Sequence, residues 1–149
     1  MKKWMGVLAV LMVASAVFAA EGWLTDFEKA EAQAKATDKY MLMDFSGSDW
    51  CGMCIKLDKD VFSKDAFKKF ASENLVLMLV DFPRSKQQAD EVKAQNRKLA
   101  GQYEIQYFPT VILLSPEGKV LWRKVGIPDG GAEGFVGKIE DAIKADASE

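Results

Sequence analysis

The stretch Ser46-Gly47-Ser48-Asp49-Trp50-Cys51-Gly52-Met53-Cys54-Ile55-Lys56 (SGSDWCGMCIK) holds both cysteines of a 149-residue chain. They stand three apart, with an aromatic residue directly before the first. The run before it, Tyr40 to Ser46 (YMLMDFS), is short and largely apolar, so it reads as a buried strand carrying one acid, Asp44. A helix is expected to begin inside the motif itself. A Cys-x-x-Cys at such a junction has a physical logic. The thiolate is the nucleophile, and the free backbone N–H groups of a first helical turn favour negative charge there. Cys51, at the tip, would be exposed and attacking, whereas Cys54, one turn further in, would be shielded and resolving. Gly52 and Met53 are small or flexible enough to let the two sulfurs meet.

Two rival readings stay open at this point. A closed zinc site needs four ligands, and the chain offers no third cysteine and no histidine. A purely structural staple closing so short a loop would constrain the unfolded chain little. The redox dithiol is favoured because the pair follows a buried strand and opens a helix.

The absence of histidine also excludes every mechanism that needs an imidazole base, including Cys-His and Ser-His nucleophile pairs, and with them most hydrolases. The length suits one domain with a genuine core, and 49% hydrophobic and 28% charged residues are ordinary for a globular protein. The N-terminus, MKKWMGVLAVLMVASAVFAAEGW, opens on two lysines and continues uncharged from Trp4 to small residues at Ala20. That is the pattern of a secretory signal peptide, with cleavage expected after Ala19. The expected domains are therefore a signal peptide over residues 1–19 and a folded domain over 20–149. No cysteine follows the cut to carry a lipid; an uncleaved membrane anchor is the alternative. A formal charge of −2 moves to near −4 once Lys2 and Lys3 are removed, which gives no electrostatic case for nucleic acid or anionic lipid. Export implies a compartment where disulfide chemistry is active.

Downstream, Leu24 to Thr37 has helical spacing, with Thr25 and Asp26 as caps. Phe67 and Phe70 share one side of a further short helix. Leu75 to Phe82 (LVLMLVDF) reads as a second buried strand, and Lys86 to Gln102 as an exposed helix with Val92 and Leu99 inward. Pro109 to Leu114 and Lys119 to Val125 form a hairpin across Ser115-Pro116-Glu117-Gly118. An amphipathic helix over about residues 132–145 closes the chain, with Phe135, Ile139 and Ile143 inward. A parallel pair with a helical crossover, followed by a helix-backed hairpin, predicts an α/β sandwich whose central mixed sheet has about four strands flanked by helices.

The run DFSGSDWCGMC, the later Phe108-Pro109-Thr110 and Val125-Gly126 together resemble the thioredoxin superfamily. The GSDWC-x-x-CIK segment, the VDFP strand end, the long polar helix and Pro128-Asp129-Gly130-Gly131 look like its secreted, bacterial DsbH-like branch. The resemblance covers roughly residues 23–145 and implies a thioredoxin fold. It also implies Cys51 as attacking and Cys54 as resolving thiol, and a cis bond before Pro109 beside the disulfide. The backbone of Phe108 would pair with an extended substrate. Asp44 matches the buried acid placed beneath the resolving cysteine. In apolar surroundings its carboxyl should have a raised pKa, suited to proton exchange with Cys54. Trp50 would shield the disulfide and offer substrates an apolar surface, or simply pack.

Two departures matter. LVLMLV offers no lysine to partner the acid, and Met53 stands where many thioredoxins have proline. The expected reduction potential is therefore about −200 to −270 mV, between isomerase and thioredoxin values.

The leading expectation is a periplasmic, monomeric thiol-disulfide oxidoreductase that reduces or isomerises disulfides of extracytoplasmic proteins. It needs no cofactor and no metal, and a membrane partner would supply its electrons. A Cu(I)-binding protein using Cys51 and Cys54 is the alternative; Met41, Met43 and Met78 fit that reading less well, since methionines of buried strands usually fill cores. A redox-silent binding module using the groove near Phe108 and Pro109 is a third reading.

Overall fold

The computed structural model describes residues 22–149. The expected signal peptide lies outside the described residues. In chain order the elements are β1 (Trp23–Leu24), α1 (Phe27–Thr37), β2 (Tyr40–Ser46), α2 (Gly52–Leu57) and a π-helical turn at Asp58–Phe62. They continue with α3 (Asp65–Asn74), β3 (Leu75–Asp81), α4 (Asp90–Gln102), β4 (Thr110–Leu114), β5 (Val120–Val125) and α5 (Gly131–Ala147). The sheet order is β1-β3-β2-β4-β5. β2 runs parallel to β3 and antiparallel to β4, and β4 pairs with β5 as the hairpin.

The sheet has five strands where about four were expected. The addition is β1, whose Trp23 and Leu24 pair in parallel with Leu77 and Met78 on the outer edge of β3. Two residues are too few to show an alternation, so Leu24 reads in the sequence as the first apolar position of α1. The helix starts only after Asp26, whose carboxylate accepts the Lys29 backbone N–H at 3.1 Å as an N-cap.

Strand alternation divides the core into two layers. Met41, Met43 and Phe45 of β2 face α1 and α4, with Val76, Met78 and Val80 of β3 and Ile112 and Leu114 of β4 beside them. Leu42, Val111 and Leu113 face the other way, toward Leu57, Val61, Phe67, Phe135 and Ile139. Phe62, Phe67 and Phe135 form an aromatic knot there, with ring centroids 4.9 to 5.8 Å apart. Each such buried ring contributes on the order of 2–3 kcal/mol through area removed from water. Leu42 and Asp44 are two apart on β2, so Asp44 shares this second layer, under the helices that follow the cysteines.

α4 begins at Asp90, four residues later than the charge pattern indicates. Its inward face is also more polar than expected. Asn96 is buried and donates to the Asp81 carbonyl at 2.9 Å, while Gln95 accepts from Phe27 N–H and donates to Thr25 carbonyl, both at 2.9 Å. Among the described residues no helix is long and apolar enough to cross a membrane.

Candidate active site

β2 ends at Ser46, and the chain turns over Gly47 into α2. Trp50 and Cys51 both donate their N–H to the Gly47 carbonyl, at 3.2 and 2.8 Å. A Cβ at Gly47 would overlap the Trp50 indole, so only glycine lets the ring fold back over this turn. Cys51 is the N-cap of α2, and its Sγ accepts the Cys54 backbone N–H at 3.3 Å. The two cysteines are joined as a disulfide with Cα atoms 5.2 Å apart.

Cys51 is 9% and Cys54 4% exposed. The order is as expected, but Cys51 is far more covered than a tip position implies. Its sulfur is bonded to Cys54 and accepts the Cys54 N–H at the helix start, which accounts for the cover.

The other expected residues stand around the motif. Trp50 is exposed and meets Phe108 edge-on, with centroids 6.0 Å apart. Phe108 also stacks on Phe82 at 5.1 Å. The Phe108–Pro109 bond is cis, and the Pro109 carbonyl accepts the Gly126 N–H at 2.8 Å, which fastens the end of β5 to this loop. Met53, between the cysteines, is also exposed, and its Cε lies 3.8 Å from where a Cβ would stand on Gly126.

Asp44 is buried, and its Oδ1 has no hydrogen-bond partner among the described residues. Burial, reinforced by the negative charges of Asp58 and Asp81, pushes its carboxyl up to about 8. The lysine missing from β3 explains the absence of an opposing cation: Leu79 stands opposite Asp44 across the sheet.

A polar clamp behind the motif was not legible beforehand. Asp49 accepts three successive backbone N–H groups, from Arg84 at 2.9 Å, Ser85 at 2.7 Å and Lys86 at 2.8 Å. These bonds, with the Arg84 one foremost, hold the Asp49 carboxyl below the usual carboxylate range. Ser48 bonds Asp81 through both its N–H and its hydroxyl, at 2.9 and 2.5 Å, and Trp50 Nε1 donates to the Phe82 carbonyl at 2.7 Å. Residues 84–86 bend around this carboxylate, and α4 begins only at Asp90. Only Asp81, an acid ending an apolar strand, hints at this junction in the sequence.

The clamp yields a direct expectation. Asp49→Ala should speed hydrogen exchange of the Arg84, Ser85 and Lys86 amides by roughly tenfold or more, measured by mass spectrometry at neutral pH. Because the folded pKa is depressed, the protection holds above the unfolded value near ~4 and fades as pH falls through the folded one. Unchanged exchange would show that the loop is held by other means.

The methionines invoked for copper are placed differently from the dithiol. Met41, Met43 and Met78 fill the α1/α4 layer of the core, leaving Met53 as the methionine beside the cysteines. Among the described residues no cluster of three His, Cys, Asp or Glu side chains is arranged to hold a metal ion.

A β2–turn–α2 dithiol beside a loop at the start of β4, on this sheet, defines a thioredoxin-type thiol-disulfide oxidoreductase. The chain belongs to the thioredoxin-like domain family, which it matches over residues 27–141. It is 35% identical over 118 residues to the disulfide bond reductase DsbH of Chlamydia pneumoniae, covering 79% of this chain and 70% of that protein. The solved structure of a DsbH oxidoreductase superposes with a TM-score of 0.77 at 31% identity, covering 95% of both chains. A disulphide isomerase from Xylella fastidiosa Temecula1 superposes with a TM-score of 0.59 at 25% identity, covering 76% of this chain and 88% of that one.

Proposed function

We propose that this protein reduces disulfides of exported proteins in the periplasm, acting as a monomer released from a signal peptide at Ala19, with residues 20–149 as the working domain. The observation that carries this is the Cys51–Cys54 pair at the start of α2, with exposed Trp50 and Met53 flanking the cysteines and Phe108 against Trp50. Likeness to a disulfide bond reductase supports the reducing direction. The N-terminal pattern of two lysines, an apolar run and small residues supports export.

In the reduced protein, the Cys54 N–H that now meets Cys51 Sγ favours a Cys51 thiolate. That thiolate attacks one sulfur of the substrate disulfide; the other sulfur leaves as a thiolate and takes up a proton. Cys54, passing its proton to the minor ionised fraction of Asp44 that a pKa of about 8 leaves near neutral pH, then attacks Cys51 Sγ. The second substrate sulfur leaves, and the Cys51–Cys54 disulfide re-forms. Two electrons have passed to the substrate, and a membrane dithiol donor returns them. Trp50 and Phe108 hold the substrate segment against the dithiol, and Pro109 shapes the loop that presents Phe108.

The test is the reduction potential of the mature protein, equilibrated in glutathione buffers with free thiols trapped. A value of about −200 to −270 mV is expected, and one at or above about −180 mV would overturn the reducing direction.

A further inference from the structure

We propose that Arg84 is a specificity-determining residue that selects substrate segments carrying a carboxylate beside the reacting disulfide. The proposal rests on the reading of Cys51 and Cys54 as a substrate-reducing dithiol and names what that dithiol prefers.

The Arg84 guanidinium lies over the Trp50 ring, with Cζ 3.7 Å from the ring centroid. Trp50 immediately precedes Cys51 and is itself held from two sides, by the Phe82 carbonyl and by Phe108. The backbone of Arg84 is fixed as well, because its N–H is the first of the three that Asp49 accepts. A side chain exposed on a loop is thus anchored at its root by a carboxylate and at its tip by an indole, on the rim of the dithiol. Stacking satisfies the face of a guanidinium and leaves its N–H edge free to bind a planar anion in a two-pronged way.

Among the described residues, Arg84 makes no ion pair, and no side chain accepts a hydrogen bond from its guanidinium. The carboxylate that meets its backbone, Asp49, is already occupied by three backbone amides, and Asp81, three residues before Arg84, accepts from Ser48. Lys86 adds a second cation to the same rim, with Nζ 3.4 Å from Ser48 Oγ. The nearby carboxylates of Asp49 and Asp81 are taken up by backbone amides and by Ser48, so the guanidinium of Arg84 is the charged group at Trp50 with unused hydrogen-bonding capacity. Charge complementarity therefore points to an acidic segment docking across Trp50, where a carboxylate meets Arg84 while the adjacent disulfide meets Cys51.

The experiment uses the reduced mature protein and three synthetic peptides, each with one intramolecular disulfide flanked by Asp, Ser or Lys. Second-order reduction rates are measured at low and high salt. Each rate is divided by that of the same variant on neutral hydroxyethyl disulfide, so that any change in Cys51 reactivity cancels. Wild type is expected to favour the Asp peptide over the Ser peptide by about threefold to fivefold at low salt, the range of one exposed charge pair, and less at high salt. Arg84→Gln should bring that ratio close to one, and Arg84→Glu should invert it in favour of the Lys peptide. Equal ratios in wild type and both variants overturn the proposal while leaving the dithiol reading intact. A wild type that reduces neither peptides nor hydroxyethyl disulfide overturns the dithiol reading and this inference with it.

Discussion

Cys51→Ser is expected to lower the rate of disulfide reduction by about a thousandfold or more, because the serine hydroxyl stays protonated near neutral pH and cannot replace a thiolate. Cys54→Ser should behave differently. The attack by Cys51 remains, but the intermediate has no resolving sulfur, so a covalent complex with the substrate accumulates and survives on a non-reducing gel. Mass spectrometry of that band should find the linkage at Cys51. The contrast follows from their placement: Cys51, 9% exposed, caps α2, and Cys54, 4% exposed, lies inside its first turn. A Cys51→Ser protein that still binds its partner but reduces nothing is consistent with the proposal. One that still reduces disulfides at the wild-type rate would sink it, and trapping through Cys54 would reverse the assigned order.

The second large effect belongs to Asp44. Its folded pKa, about 8, lies well above the unfolded value, so the native protein keeps a proton that the unfolded chain has lost. The native state thus binds more protons between the two values, and stability falls as pH rises through that window. The contribution is fully present below about pH 4 and is lost by the time pH passes about 8. Asp44→Asn removes this term while keeping the shape of the side chain. Between pH 4 and 9, wild type should lose on the order of 3–5 kcal/mol more stability than the Asn variant, at about 1.4 kcal/mol per pH unit with allowance for relaxation of the site. Urea unfolding of both proteins across that range measures it, and parallel curves would show that Asp44 reaches solvent or a donor. The variant should also release substrate from the mixed disulfide about a hundredfold more slowly, the ordinary worth of a positioned proton acceptor. A purely structural Asp44 would change the stability curves and leave that step alone.

The likeness between expectation and structure is closest where residues repeat. β2, β3 and the β4–β5 hairpin lie within a residue or two of their expected bounds, because apolar runs bounded by turn residues carry their own signal. The cysteine motif is equally plain, since its chemistry depends on a spacing of three and a helix start, both local. β1 escaped because a two-residue strand exists only through its partner; Trp23 and Leu24 become a strand on meeting Leu77 and Met78. The late start of α4 escaped for a related reason. Lys86 to Ala89 are good enough helix residues, but the chain bends at residues 84–86 around Asp49, and the Gln88 side chain is drawn back to the Asp81 carbonyl.

The sequence by itself determined the order of the elements, the dithiol at a strand-to-helix turn and the oddity of one acid in an apolar strand. Those properties reside in hydrophobic periodicity, in turn chemistry and in residue types that are costly to bury, all of which act over a few residues. What surrounds the dithiol is set by contacts between parts of the chain far apart in sequence. Asp49 finds its three donors 35 to 37 positions away, Ser48 finds Asp81 at 33, and the indole of Trp50 comes to lie between Arg84 and Phe108. Hydrogen bonds and stacking between distant loops follow no period along the chain. They are chosen when the sheet brings the ends of β2, β3 and the loop before β4 to one edge, and the charge and shape of the site are set there.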